Sequence, residues 1–247
     1  MKIGMFDSGV GGLTVLSSFL KKIPNVEYIY VGDTKRVPYG GKSHDTILQF
    51  CHEIIHFLLS KQVDIIVIAC NTASALCLED LESVYQIPII GVVLPTIEYV
   101  NNLKLKSIGV IGTSSTIKSQ IYETKLIDKN VMSRACPIFV PMIEEDIKRP
   151  DILELMIDYY LADIKGSIDA LILGCTHYPI IESKIATYLK VPMINPADIT
   201  ADYVKKHFQI VETDHKIAFY FTDVNQSVIT ITNRLINSEV KIQKLDL

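Results

Sequence analysis

The chain has 247 residues, 49% of them apolar, enough for one large domain or two modest ones with a proper core. Its net charge of −4, with 21% charged residues and no long block of either sign, offers no basic surface for nucleic acid. No run approaches the roughly 18 apolar residues of a membrane span, and Asp7 breaks the opening apolar run too early for a secretory signal, so a cytoplasmic protein is expected.

Strand-like and helix-like runs alternate from the start. "KIGMFDSG" at Lys2 reads as a strand, and "GLTVLSSFLKKI" at Gly12 as a helix. "VEYIYVGDT" and "HDTILQFCHEIIHFLLSK" repeat that order, as do "VDIIVIACN" and "ASALCLEDLESVY". The strands are continuous Val/Ile runs, the pattern of parallel strands covered on both faces. The order β-α-β-α predicts an open α/β sheet. From about His215 a further strand, "KIAFYFTD", and helix, "NQSVITITNRLI", are expected to fold back onto the first part of the chain.

The chain also repeats itself. "DIIVIACNT" begins at Asp64 and "DALILGCTH" at Asp169, so the offset is 169 − 64 = 105. "KIGMFDSG" and "SIGVIGTSS" align Ile3 with Ile108 at the same offset, 108 − 3 = 105. The reading is two pseudo-symmetric open α/β lobes with mainly parallel sheets and an active site in the cleft between them. The expected division is residues 1–96 plus 208–247 for the first lobe and 97–207 for the second.

In open α/β sheets ligands bind beyond the carboxyl ends of the strands. Asp7-Ser8, Asp33-Thr34, Cys70-Asn71, Thr113-Ser114 and Cys175-Thr176 all follow predicted strands and are expected at one rim. A single Cys at a strand end is ordinarily core filler. Two in matching places, Cys70 and Cys175, suit proton transfer across a carbon. One takes a proton from a tetrahedral centre and the other returns one to the far face. A thiol with a pKa of roughly 8.5 reaches the thiolate at neutral pH for about 2 kcal/mol. Cys51 and Cys77 fall within helical patterns and read as core; Cys136 has no matching partner either. No CxxC or other zinc spacing occurs, and no metal is expected.

The remaining candidates each carry two readings. "FDSGVGGLTV" is Gly-rich after a strand but lacks the P-loop Lys-Ser/Thr; its turn and following helix start could hold a carboxylate instead. Asp7 is an acid/base partner or an N-cap. Tyr39 and the backbone at Gly40 line a small polar ligand or form a surface turn. Glu144 closes an apolar run and is functional or solvated. His177 orients or protonates the Cys175 thiol, or caps a helix.

Together "FDSGVGGLTV", "GDTKRVPYGGKS", "ACNTASA", "GTSSTIKS", "FVPMIEE" and "GCTHYPII" resemble the bacterial glutamate racemases of the cofactor-independent aspartate/glutamate racemase superfamily. The resemblance runs from residue 3 to about 200. It implies D/L-glutamate bound between two lobes, no cofactor, no metal, a homodimer, and D-glutamate supplied to peptidoglycan synthesis. Cys70 and Cys175 match the catalytic cysteines, acting on D- and L-glutamate respectively. Asp7, Glu144 and His177 match residues that assist proton transfer. Ser8, Tyr39, Gly40, Asn71, Thr72, Thr116 and Thr176 match substrate-holding positions, with Asp7 and His177 beside them. A sibling racemase for aspartate or a hydantoin, a one-thiol decarboxylase, and a non-catalytic amino-acid sensor are the alternatives. The paired cysteines and the N-terminal motif weigh against them.

Overall fold

The computed structural model describes residues 1–145, 147, 149–237 and 239–247. One sheet contains β1 (Lys2–Asp7), β2 (Glu27–Gly32), β3 (Ile65–Ile68), β4 (Ile89–Gly91), β9 (Lys216–Phe221) and β10 (Ile242–Lys244), in the order β10-β9-β2-β1-β3-β4. The other contains β5 (Ser107–Gly112), β6 (Asn130–Ala135), β7 (Ala170–Gly174) and β8 (Met193–Ile194), in the order β6-β5-β7-β8. Every pairing is parallel. Long helices cover the sheets: α1 (Leu13–Lys22), α2 (His44–Ser60), α3 (Asn71–Val84), α4 (Val93–Asn101), α8 (Pro150–Leu161), α9 (Glu182–Leu189), α10 (Pro196–His207) and α11 (Gln226–Ile236). Shorter turns of helix, α5 (Ser114–Lys118), α6 (Ile121–Lys125) and α7 (Phe139–Glu144), lie in the second half.

Continuous apolar strands force this layering. All four residues of β3 and all five of β7 are buried, so neither sheet has a face that tolerates water there. Apolar side chains from α2 and α3 seal one face of the first sheet, and those from α7, α8 and α9 seal one face of the second. The remaining faces share one core, built from Ile3 and Met5 of β1, Ile108 and Val110 of β5, and the inner sides of α1, α4 and α10.

The internal repeat is visible in three dimensions. The strand order β2-β1-β3-β4 recurs as β6-β5-β7-β8, and Ile3 facing Ile65 recurs as Ile108 facing Ala170. The aspartate that precedes the third strand of each set plays the same part in both. Asp64 accepts from the Lys2 amide at 2.6 Å; Asp169 accepts from the Lys106 and Ser107 amides at 2.8 Å. Each carboxylate fastens the start of the neighbouring strand and fixes its register.

The tail adds β9 beside β2, with Phe219 and Phe221 packed on Tyr30 at ring separations of 6.4 and 5.7 Å. Phe219 is buried in the shared core. Phe219→Ala is therefore expected to lower unfolding free energy by about 3–5 kcal/mol in urea titrations. A loss below about 1 kcal/mol would mark the tail as an appendage.

Candidate active site

Four strand ends deliver most of the candidate residues to one cleft, because the strands within each sheet run parallel and ligand sites form beyond their carboxyl ends. Ser8, Tyr39, Gly40, Asn71, Thr72, Thr176 and His177 line one small cavity together with Cys70 and Cys175. Val37, Pro38, Thr113 and Val140 complete its wall. Asp7, Thr116 and Glu144 stand one layer back, each bonded to a lining residue.

On the first-lobe side, β1 ends at Asp7, which is fully buried. Its Oδ2 accepts the Gly9 amide at 3.0 Å, and Oδ1 accepts the Thr176 hydroxyl at 3.3 Å from the opposite lobe. The N-cap residue of α1 is Gly12, not Asp7, whose carboxylate also accepts the Gly12 amide. Burial raises its pKa, opposed by the charge of His177 and by backbone N–H groups. β3 runs into Cys70, the extended residue before α3. The Cys70 thiol lies 3.6 Å from the Ser8 hydroxyl. Burial first, and then the Asp7 carboxylate, push this thiol up to about 12.

On the second-lobe side, β7 runs into Cys175, Thr176 and His177. The imidazole Nδ1 is 3.7 Å from Cys175 Sγ, and Nε2 is 3.0 Å from Glu144 Oε1. Glu144 is therefore held in place, not free in solvent. Burial works against protonation of His177, but Cys175 and Glu144 outweigh it and raise its pKa to about 10.

Hydroxyls and carbonyls join the lobes around these groups. Thr72, Thr113 and Thr116 form a triangle of hydroxyls with edges of 2.9, 3.3 and 3.0 Å. Ser115 donates to the Gly40 carbonyl at 2.8 Å, and Thr14 donates to the Thr176 carbonyl at 2.9 Å. Tyr122 donates to Asn71 Oδ1 at 3.5 Å.

Three placements differ from those expected from the sequence. Tyr39 reaches the cavity, but its hydroxyl turns into the core and donates to Asp33. What the Tyr39–Gly41 turn presents to a ligand is therefore mainly backbone. The Asp33-Thr34 strand end does not enter the cleft: Asp33 is buried and also binds Arg36 and Thr222, while Thr34 donates to the Asp223 carbonyl. Thr113, expected only at the rim, lines the cavity itself. Val37 and Val140 left no signal, since an apolar residue beside a cavity reads like one in the core. Among the described residues, no three His, Cys, Asp or Glu side chains are grouped to hold a metal ion, and no helix is long and apolar enough to cross a membrane.

The family described as Asp/Glu/Hydantoin racemase matches residues 14–204. Glutamate racemase of Aquifex aeolicus (strain VF5) is 43% identical over 98% of this chain and 96% of its own. The crystal structure of glutamate racemase from Francisella tularensis subsp. tularensis SCHU S4 in complex with D-glutamate superposes with a TM-score of 0.90, at 35% identity, over 99% of this chain and 97% of that one. That of Campylobacter jejuni subsp. jejuni also gives 0.90, at 39% identity, covering 98% and 100%.

The raised His177 value makes stability depend on pH. A proton held up to about pH 10 in the folded state, and only to the ordinary value of 6.5 unfolded, stabilises fully below pH 6.5. That contribution is lost as pH rises towards 10. Between pH 7 and 9 the unfolding free energy is expected to fall by about 2 kcal/mol in denaturant titrations. In His177→Asn that decline is expected to shrink to a residue from other groups; an undiminished decline would contradict the assignment.

Proposed function

The chain belongs to the Asp/Glu/Hydantoin racemase family, and from that premise we propose that it is a glutamate racemase working without a cofactor through two cysteine bases. The observation that carries the reading is the cavity itself, where Cys70 and Cys175 arrive from the strand ends of two facing sheets onto one small space. They are close enough for the charge of one to act on the other.

In this mechanism L-glutamate lies between the two sulfurs. A Cys175 thiolate removes the α-proton while the Cys70 thiol delivers a proton to the opposite face, which gives D-glutamate. The reverse reaction begins with a Cys70 thiolate. His177, anchored by Glu144, supports the charge changes at Cys175. Asp7 and Ser8 do so at Cys70. Ser8, Asn71, Thr72, Thr116, Thr176 and the backbone of Tyr39 and Gly40 hold the ammonium and carboxylate groups. They also offer donors towards the carboxylate, where charge gathers as the proton leaves. Val37, Pro38 and Val140 are the apolar walls available to the substrate methylenes.

The likeness to glutamate racemases over nearly the whole chain favours glutamate over other amino acids. We propose further that the enzyme is a cytoplasmic homodimer that supplies D-glutamate for peptidoglycan. Sedimentation velocity tests the homodimer, which is expected at twice the chain mass and is contradicted by a monomer at working concentration.

Purified protein is expected to abolish the optical rotation of L-glutamate with nothing added. Enantiomers have equal free energy, so kcat/KM must be equal in the two directions. Each thiol is needed in both. Cys70→Ser and Cys175→Ser should each lower kcat/KM by about 10²–10⁴-fold with either enantiomer. Folded protein that leaves the rotation unchanged would end the racemase reading, and near-normal turnover in one variant would remove that thiol as a base.

A further inference from the structure

We infer that Tyr30, which lies outside the cavity, is a positioning residue for Asp7 and acts through the glycine turn that follows β1; this rests on the racemase reading above. Tyr30 sits on β2 and is fully buried. Its hydroxyl donates to the Gly9 carbonyl at 2.9 Å. The amide of the same Gly9 donates to Asp7 Oδ2 at 3.0 Å. One residue of the turn is thus held at its carbonyl by Tyr30 and holds the carboxylate with its N–H. The phenol also stands directly under the turn. A Cβ built on Gly12 would meet Tyr30 Oη at 2.9 Å and Asp7 Cβ at 2.4 Å. Gly12 thus packs its bare Cα against both Asp7 and the Tyr30 hydroxyl, which leaves no space for a side chain between them.

The ring is fixed from behind by Phe219 and Phe221. Burial, with the charges of Asp7 and Cys70 added, raises the phenol's pKa well above its usual value, so it remains a donor. Removing the hydroxyl leaves the Gly9 carbonyl buried without this partner. The turn then loses an anchor at the residue whose N–H holds Asp7 Oδ2, and the carboxylate is left to Thr176 and the Gly12 amide.

The same strand supplies the comparison. Tyr28 stands two residues earlier, on the same face of β2 and equally buried. Its hydroxyl donates to the Ile23 carbonyl at 2.6 Å, at the far end of α1 from the cavity. Tyr28→Phe and Tyr30→Phe therefore remove the same atom from the same strand, one bonded at the end of α1 and the other in the turn before it.

Both variants are to be compared with wild type in D- and L-glutamate kinetics and in thermal unfolding. Tyr30→Phe should lower kcat by about tenfold with KM within about twofold, as expected for a group that matters after binding. Tyr28→Phe should lower the melting temperature and keep wild-type kcat. Unchanged kcat in Tyr30→Phe, equal kcat losses in both variants, or a loss confined to KM would overturn the assignment. Should Tyr30→Phe not accumulate, Phe221→Leu keeps the hydroxyl but frees the ring; a smaller fall in kcat supports the inference, and no fall contradicts it. Wild-type protein that fails to racemise glutamate would sink the functional reading instead, which separates the two failures.

Discussion

The turn after β1 and the turn after β7 meet at Gly11, where there is no room for even a methyl group. A Cβ there would lie 2.4 Å from the Thr176 hydroxyl and 2.5 Å from the His177 ring. Glycine at this point sets the distance between the lobes. Once they are that close, Thr176 reaches Asp7, Thr14 reaches the Thr176 carbonyl, and the Cys70 and Cys175 strand ends share one cavity. The approach of the lobes is thus set by the bare Gly11 backbone against the Thr176 and His177 side chains.

Within that frame the two thiols match in position and differ in surroundings. Cys70 has a hydroxyl and a buried carboxylate beside it, and burial makes its thiolate expensive, by about 1.4 kcal/mol for each unit its pKa rises. Cys175 faces an imidazole that it and Glu144 together keep protonated. A racemase must nevertheless run equally in both directions, because its substrate and product are mirror images. Different supporting groups reconcile the two: a cationic ring on one side, and on the other a carboxylate whose aim depends on Gly9 and Tyr30.

Much of the architecture was legible in the sequence because the signals were periodic. Val/Ile runs marked the parallel strands, and the echo of Asp64–Cys70 at Asp169–Cys175 marked the paired lobes. The strand-end residues Ser8, Asn71 and Thr176 could be placed at the cleft for the same reason. Tertiary features were not legible. The Tyr39 hydroxyl goes to Asp33 because a buried carboxylate needs donors, which no local pattern announces. Val37 and Val140 look like core residues until a cavity is found beside them. Tyr30 looks like one more strand aromatic until Gly9 is found above it.

The central claim is that each thiol serves one face of the same carbon. It is tested most directly by the isotope pattern in the first turnovers of pure L-glutamate in D₂O. Two bases predict that newly formed D-glutamate carries deuterium at Cα while the remaining L-glutamate stays protiated. Deuterium appearing equally in substrate and product at early times would mean that a single base serves both faces, and would contradict the account.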